Sequence, residues 1–267
     1  MKTIDTGFGS LLREWRQHRR MSQLHLALDA GISQRHLSFV ESGRSQPSRD
    51  MVLHLTECLD VPLRQRNRML LAAGYAPSFS ERPIDDPALK PAMDAVQLVL
   101  DGHAPNPAIA IDRHWRMVAA NGAIAPLLAG VRDAELMKPP VNVLRLSLHP
   151  DGLASSIVNF SAWRAHVLER LRHLNDQVAD PALAALEREL AAYPVPHGAP
   201  KPRPRETDAI AVPLRLRLGT EDLSFITTTT VFGTPLDVTL SELAIESFFP
   251  ADAATAAYLQ KMAQGRS

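Results

Sequence analysis

Gln34, Arg35, Ser38 and Phe39 fall in two successive turns' worth of the stretch SQRHLSFVESGRSQPS, Ser33 to Ser48. Their side chains are of the kinds that read the edges of base pairs. A guanidinium can make a bidentate contact with guanine, and a primary amide can do the same with adenine. A hydroxyl serves either base, and an aromatic ring can meet a thymine methyl. Arg44 and Ser45 just beyond, with Gln23 earlier in the chain, carry donors suited to phosphates, which position a protein on a duplex without reading it. A solvated surface helix can also hold Gln and Arg, so the neighbouring elements decide whether this set is anything more.

Those elements are short and sharply punctuated. Ser22 suits the N-cap of a helix in QLHLALDA, which Gly31 stops, and Ser33 suits the cap of the next, QRHLSFVES, which Gly43 stops. Two helices joined by so short a turn have helix-turn-helix geometry, in which the second enters the major groove. A helix from Ser10 to Arg19 precedes them, with Leu11, Leu12 and Trp15 at helical spacing and a basic end at Arg16, His18, Arg19 and Arg20. Arg49 to Leu59 and Leu63 to Ala73 make two more, and no strand pattern interrupts the series. Net charge is zero for the 267 residues, but residues 1–80 hold 11 Lys and Arg against 7 Asp and Glu, and the remainder 18 against 22. A basic front and an acidic back suits an anionic polymer bound at one end.

The pattern MSQxxLAxxAGISQRHLSFVESGRSQPS resembles the Cro/phage-repressor class, also called the xenobiotic-response-element family. The likeness covers roughly residues 9–74 and is carried by Ser22-Gln23, Ala27, Gly31, Ile32-Ser33, Leu37, Val40-Glu41 and Gly43. It implies operator DNA as partner, base contacts from Gln34, Arg35, Ser38 and Phe39, and phosphate contacts from Gln23, Arg44 and Ser45. It also implies a buried structural ion pair between Arg16 and Glu41. His25 stands where that family usually has an acidic residue, so a reciprocal capping box is absent. Phe39 is unusual at a base-facing position and could equally belong in part to the core.

Catalytic signatures are missing. The chain contains no G-x-S-x-G, H-E-x-x-H, Walker loop or dinucleotide fingerprint, and GFGS at residues 7–10 follows no strand. An enzyme is therefore not expected. One cysteine, Cys58, excludes an internal disulfide framework and a cysteine-rich zinc module. His166 and His173 share a helical spacing of seven, but no carboxylate lies one turn away on that face, so neither metal nor cofactor is expected. With no secretory start and no run of about 18 apolar residues, the expected compartment is the cytoplasm and no membrane partner is expected.

PSFSERPIDDPALKP, residues 77–91, is rich in Pro, Ser and acid and reads as a linker. The expected division is a helix-turn-helix domain at 1–76, a linker at 77–90 and a second domain at 91–267. Leu89 to Leu100 looks helical, and AIAIDRHWRMVAAN reads as a hairpin, with Asn121 suited to cap the short helix GAIAPLLAG. Residues 141–148 fit strand and helix equally. Asn159 to Val178 is an amphipathic helix, with Phe160, Trp163, Val167, Leu171 and Leu174 as its stripe and Arg164, Glu169, Arg170 and Arg172 around it. Pro181 opens another helix, and five prolines in YPVPHGAPKPRPRE mark an exposed loop. AIAVPLRLRL, LSFITTTTVF and DVTLSELAIESFF read as three strands, before a last helix after Pro250. Two strands early and three late, with helices between, give an α+β domain.

PAIAIDRHWRMVAAN, NVLRLSLHPDGL and the helix holding Trp163 resemble, over roughly residues 90–250, the PAS-like ligand-binding domain of MmyB-like regulators. That family couples such a domain to an N-terminal helix-turn-helix, and the likeness implies a cavity for a fatty-acyl ligand. Trp115, Phe160, Trp163, Phe225, Ile226, Leu243 and Phe248 are the large apolar candidates for its wall, although each could be plain core. His149, His166 and the Thr227–Thr230 run could supply polar groups, with at most two of the threonines on one face.

The expected fold is thus an all-α helix-turn-helix domain followed by an α+β PAS-like domain with an antiparallel sheet of about five strands. The expected function is a sequence-specific transcription regulator, binding as a homodimer and sensing a small, apolar, fatty-acyl-like effector. The alternative is that the second domain is an oligomerisation or interaction module without a ligand. Repression and activation are not distinguished by the sequence.

Overall fold

The computed structural model describes residues 7–196, 212–232 and 237–265. They form two compact units, one running to Pro83 and joined by a piece that ends at Ser241, the other holding the rest.

In the first unit five helices surround one core: α1 (Phe8–His18), α2 (Gln23–Asp29), α3 (Gln34–Glu41), α4 (Arg49–Cys58) and α5 (Leu63–Ala72). Serine opens three of them. The Ser22, Ser33 and Ser48 hydroxyls accept the amides of His25, His36 and Met51 at 3.1, 3.1 and 3.2 Å. Gly31 ends α2 at φ +63°, where the Ile32 amide reaches back to the Ala27 carbonyl at 2.9 Å. This left-handed closure turns the chain sharply from α2 into α3. Leu12, Leu26, Leu37, Val40, Val52, Leu55 and Leu70 fill the centre. A Cβ on Gly9 would stand 2.5 Å from the Val40 carbonyl oxygen, so only glycine lets α1 lie this close to the end of α3.

The expected linker is held for part of its length. Asn67, buried on α5, accepts the amides of Ser78 and Phe79 at 3.0 and 3.1 Å and donates to the Phe79 carbonyl at 2.8 Å. Residues up to Pro83 accordingly belong with the helices, and Ile84 starts the second unit. The strand expected from residue 237 begins later. Asp237 accepts the Thr239 amide at 2.9 Å and starts a helical turn, α10 (Val238–Ser241), which belongs to the first unit. There Val238 donates to the Ser80 carbonyl at 2.8 Å, and Arg82 donates to the Asp237 carboxylate at 2.8 Å.

The second unit is built on a fully antiparallel sheet in the order β2-β1-β5-β4-β3. Its strands are β1 (Ala108–Ile111), β2 (Met117–Ala120), β3 (Leu214–Leu218), β4 (Glu221–Val231) and β5 (Ala244–Pro250). The helices are α6 (Lys90–Gly102), α7 (Val143–Leu148), α8 (Phe160–Val178), α9 (Pro181–Ala192) and α11 (Ala253–Gln264). Alternation along β1 separates the two faces. Ile109 and Ile111 join the main core with α8 and α9, whereas Ala108 and Ala110 pack with Ile245 against Val96 and Leu100 of α6. Residues 143–148, open between strand and helix by sequence, are helical because Asn142 caps them, accepting the amides of Leu144 and Arg145. Asn121 does not cap the 3-10 turn Gly122–Leu128. Its buried amide instead accepts from Ala108 at 3.1 Å and donates to the carbonyls of Leu100 and Asn106, both at 2.9 Å. The proline-rich stretch from residue 197 and the first part of the AIAVPLRLRL strand lie outside the described residues.

Candidate nucleic-acid interface and interior cavity

On α3, periodicity sends Leu37 and Val40 into the core and leaves Gln34 and Arg35 exposed on the first turn, with Ser38 and Phe39 half-buried on the next. Arg44 is exposed and Ser45 half-buried in the following loop, whose path is set by Phe39: its carbonyl accepts the amides of Arg44 and Ser45 at 2.8 and 3.1 Å. The Phe39 ring also carries two guanidinium groups, those of Arg35 and Arg44, at 5.4 and 5.8 Å from its centroid. Exposed cation–π contacts of this kind contribute about 0.5–1 kcal/mol each. The structure therefore brings Arg35, Phe39 and Arg44 together, with Gln34 and Ser38 on the same helix and Ser45 in the loop beyond.

Gln23 is placed differently. Its amide donates to Glu41 Oε2 at 2.8 Å, inside the network that fixes α1 and α2 to the end of α3. Arg16 donates to Glu41 through Nε at 2.6 Å and Nη2 at 3.0 Å, and through Nη1 to the Met21 carbonyl at 2.8 Å. Glu41 is only 3% exposed. Burial works to raise its carboxyl, but the hydrogen bonds from Arg16 and Gln23, with the charges of Arg16 and Arg13, outweigh it and hold the group below the usual carboxylate range. The ion pair fixes the end of α3 to α1, while Gln34 and Arg35 remain exposed.

In the second unit a cavity of about 100 Å³ lies between the inner face of the sheet and α8. Three of the expected wall residues line it: Trp115, Trp163 and Phe248. Aliphatic groups such as Ile109, Leu127, Val167 and Leu214 complete most of the surface. Phe160 and Phe225 are buried in the same core without lining the cavity. Strand alternation excludes Ile226: Thr227 pairs with Phe248 and Thr229 with Glu246 on the inner face, so Ile226 lies on the outer one and is 42% exposed. Leu243 is buried just ahead of β5 and is not part of the wall. His149 is also elsewhere, its ring edge-on to Tyr193 at 5.1 Å.

Trp115 reaches the cavity from the β1–β2 turn, where Asp112 Oδ1 accepts the amides of His114 and Arg116 at 2.8 and 2.9 Å. The turn places Trp115 at φ +63°, a left-handed conformation that costs a bulky side chain on the order of 1–3 kcal/mol. Burial of the indole and the Arg170 guanidinium over its face, 4.7 Å from the centroid, hold it there. Trp163 donates from Nε1 to the Ser147 hydroxyl at 3.0 Å.

Arg170 and Glu246, both on the wall, were not singled out by sequence. Arg170 reads as one of the polar residues around the α8 stripe, yet it stands seven residues after Trp163 and so returns to the same face. Its partner is far away in sequence. Glu246 is 4% exposed and receives both terminal nitrogens of Arg170, one of them at 3.0 Å. His166 also lines the cavity; desolvation first, then the charge of Arg170, push its pKa below the usual histidine value. His173, by contrast, is exposed beside Glu169 at 3.9 Å, so a carboxylate does lie one helical turn away, against the sequence expectation. Among the described residues no cluster of three or more His, Cys, Asp or Glu could hold a metal ion, and no helix is long and apolar enough to cross a membrane.

Comparison with protein families identifies a domain in each unit. The MmyB-like transcription regulator ligand binding domain matches residues 92–262, and a helix-turn-helix family matches residues 12–65. No curated protein sequence matches the chain significantly. A helix-turn-helix with its polar side chains turned outward thus precedes a domain of the ligand-binding type with a mainly apolar cavity, and the chain belongs to the MmyB-like transcription regulators, DNA-binding proteins that carry a ligand-binding domain.

Proposed function

We propose that the protein is a one-component cytoplasmic regulator, not an enzyme, which binds operator DNA as a homodimer and changes its affinity when a small apolar molecule enters the second unit. The observation that carries this reading is the cavity behind Trp115 and Trp163, walled mainly by aliphatic and aromatic side chains with a few convergent polar groups. A fatty-acyl chain suits such a wall. The cavity is smaller than the roughly 150 Å³ that admits benzene in an engineered protein, so it takes a short chain or chain end unless its walls part. A dimer is proposed because one short recognition helix reads few base pairs and two half-sites multiply the discrimination. Ligand that prefers one dimer arrangement shifts DNA affinity, and DNA shifts ligand affinity by the same factor.

The small volume also favours a second reading, an oligomerisation module with a nearly filled core. Mass spectrometry of the purified protein under native conditions, beside a solvent extract, separates the two. A stoichiometric apolar molecule in the extract supports the sensor. A clean dimer mass that stays unchanged after incubation with acyl compounds supports the module.

A further inference from the structure

Every charge on the cavity wall is already answered within the wall. Arg170 donates to both oxygens of Glu246 and, at 2.5 Å, to the Thr229 hydroxyl, which donates in turn to Glu246 at 2.8 Å. The guanidinium rests on Trp115, and Glu246 is almost wholly buried. His166, the remaining titratable group on the wall, is pushed toward its neutral form by burial and by the adjacent Arg170. What the wall can offer a guest is therefore uncharged. Ser147 accepts from Trp163 and keeps its own proton to donate, and the hydroxyl of Thr227 makes no hydrogen bond to another described residue. The imidazole of His166 is a third polar group.

A carboxylate entering here would meet no uncompensated cation and would lie near Glu246. A buried charge without a partner costs several kcal/mol, whereas a carbonyl oxygen needs only a neutral donor. We propose that the cavity receives the acyl part of an uncharged compound (an ester, amide or lactone), its carbonyl oxygen accepting from Ser147 or Thr227, and rejects the corresponding free carboxylate. This rests on the reading of the cavity as a ligand site and narrows the class of its ligand.

The test is calorimetric titration of the full chain at pH 8 with hexanoate, methyl hexanoate and hexanamide, repeated with the dodecanoyl series. The ester and amide are expected to bind at least tenfold more tightly than the carboxylate of equal length. E246Q should leave Arg170 without its counter-charge and swing that ratio at least tenfold toward the carboxylate, with an unchanged circular dichroism spectrum showing that the variant is folded. If E246Q does not fold, R170M, which removes the cation instead, should further weaken the carboxylate relative to the ester. Tighter binding of the carboxylate by the unaltered protein overturns the proposal but leaves the ligand site standing. An unchanged ratio in a folded E246Q also overturns it. Binding of no probe at either length overturns the ligand-site reading and the proposal together.

Discussion

Replacing Glu41 with alanine should nearly unfold the first unit. Three side-chain hydrogen bonds converge on this carboxylate, two from Arg16 and one from Gln23, and all would lose their acceptor. Arg16, itself 9% exposed, would keep only the Met21 carbonyl. Removing one member of a buried pair leaves the other charge uncompensated and costs about 3–5 kcal/mol. A unit of this size, at about 0.05–0.15 kcal/mol per residue, has a total stability of only ~4–12 kcal/mol. Each kcal/mol moves the midpoint of so small a domain by about 4–8 °C, so the transition should fall by roughly 12–40 °C. Far-ultraviolet circular dichroism of the full chain measures this as the early loss of helical signal. Two controls isolate the cause. Glu41→Gln keeps an acceptor and should lose less, and the apolar pair Arg16→Met with Glu41→Leu should recover most of the loss, because it removes both charges. A melt unmoved by Glu41→Ala would show that the network does not hold α3 in place.

Other consequences are as direct. Arg35→Ala should relax preference at one base position by about 1–3 kcal/mol, whereas Arg44→Ala should weaken every sequence alike and reduce the salt slope by about one; equal losses on all sequences in binding titrations would contradict the division of roles. Gly9→Ala places a methyl group 2.5 Å from the Val40 carbonyl oxygen and should destabilise the first unit by roughly 1–3 kcal/mol in a urea melt; an unchanged midpoint would mean that α1 can shift freely. Because the folded Glu41 carboxyl lies below its ordinary value of 4.5, its contribution is complete above that pH and is lost as pH falls through the folded value. Acid titration of stability should show this limb in the unaltered protein, and it should flatten in Glu41→Gln.

The bounds and buried face of α3 were legible because their determinants are local. Serine caps, glycine stops and the spacing of Leu37 and Val40 lie within a few residues of the groups they position. The bond from Gln23 to Glu41 was hidden for the opposite reason: its partner sits on another helix, and only the packed structure brings the two together. Distance in sequence also hid the polar end of the cavity. Arg170 and Glu246 are 76 residues apart, and each alone reads as an ordinary surface charge. Helical spacing from Trp163 and strand alternation from Phe248 could have placed both on the inner faces, as alternation would have removed Ile226. The short helix at Val238 was invisible because its anchor, Ser80 with Arg82, lies far upstream.

That anchor bears on how the protein can be taken apart. The DNA-binding body is discontinuous in sequence: its last piece is returned by the excursion between β4 and β5. A fragment cut after residue 83 would lack Val238, which is fully buried, and would leave Arg82 without the Asp237 carboxylate. Excised from its chain, the helix-turn-helix is an incomplete object, and its melting point would understate the stability it has at home.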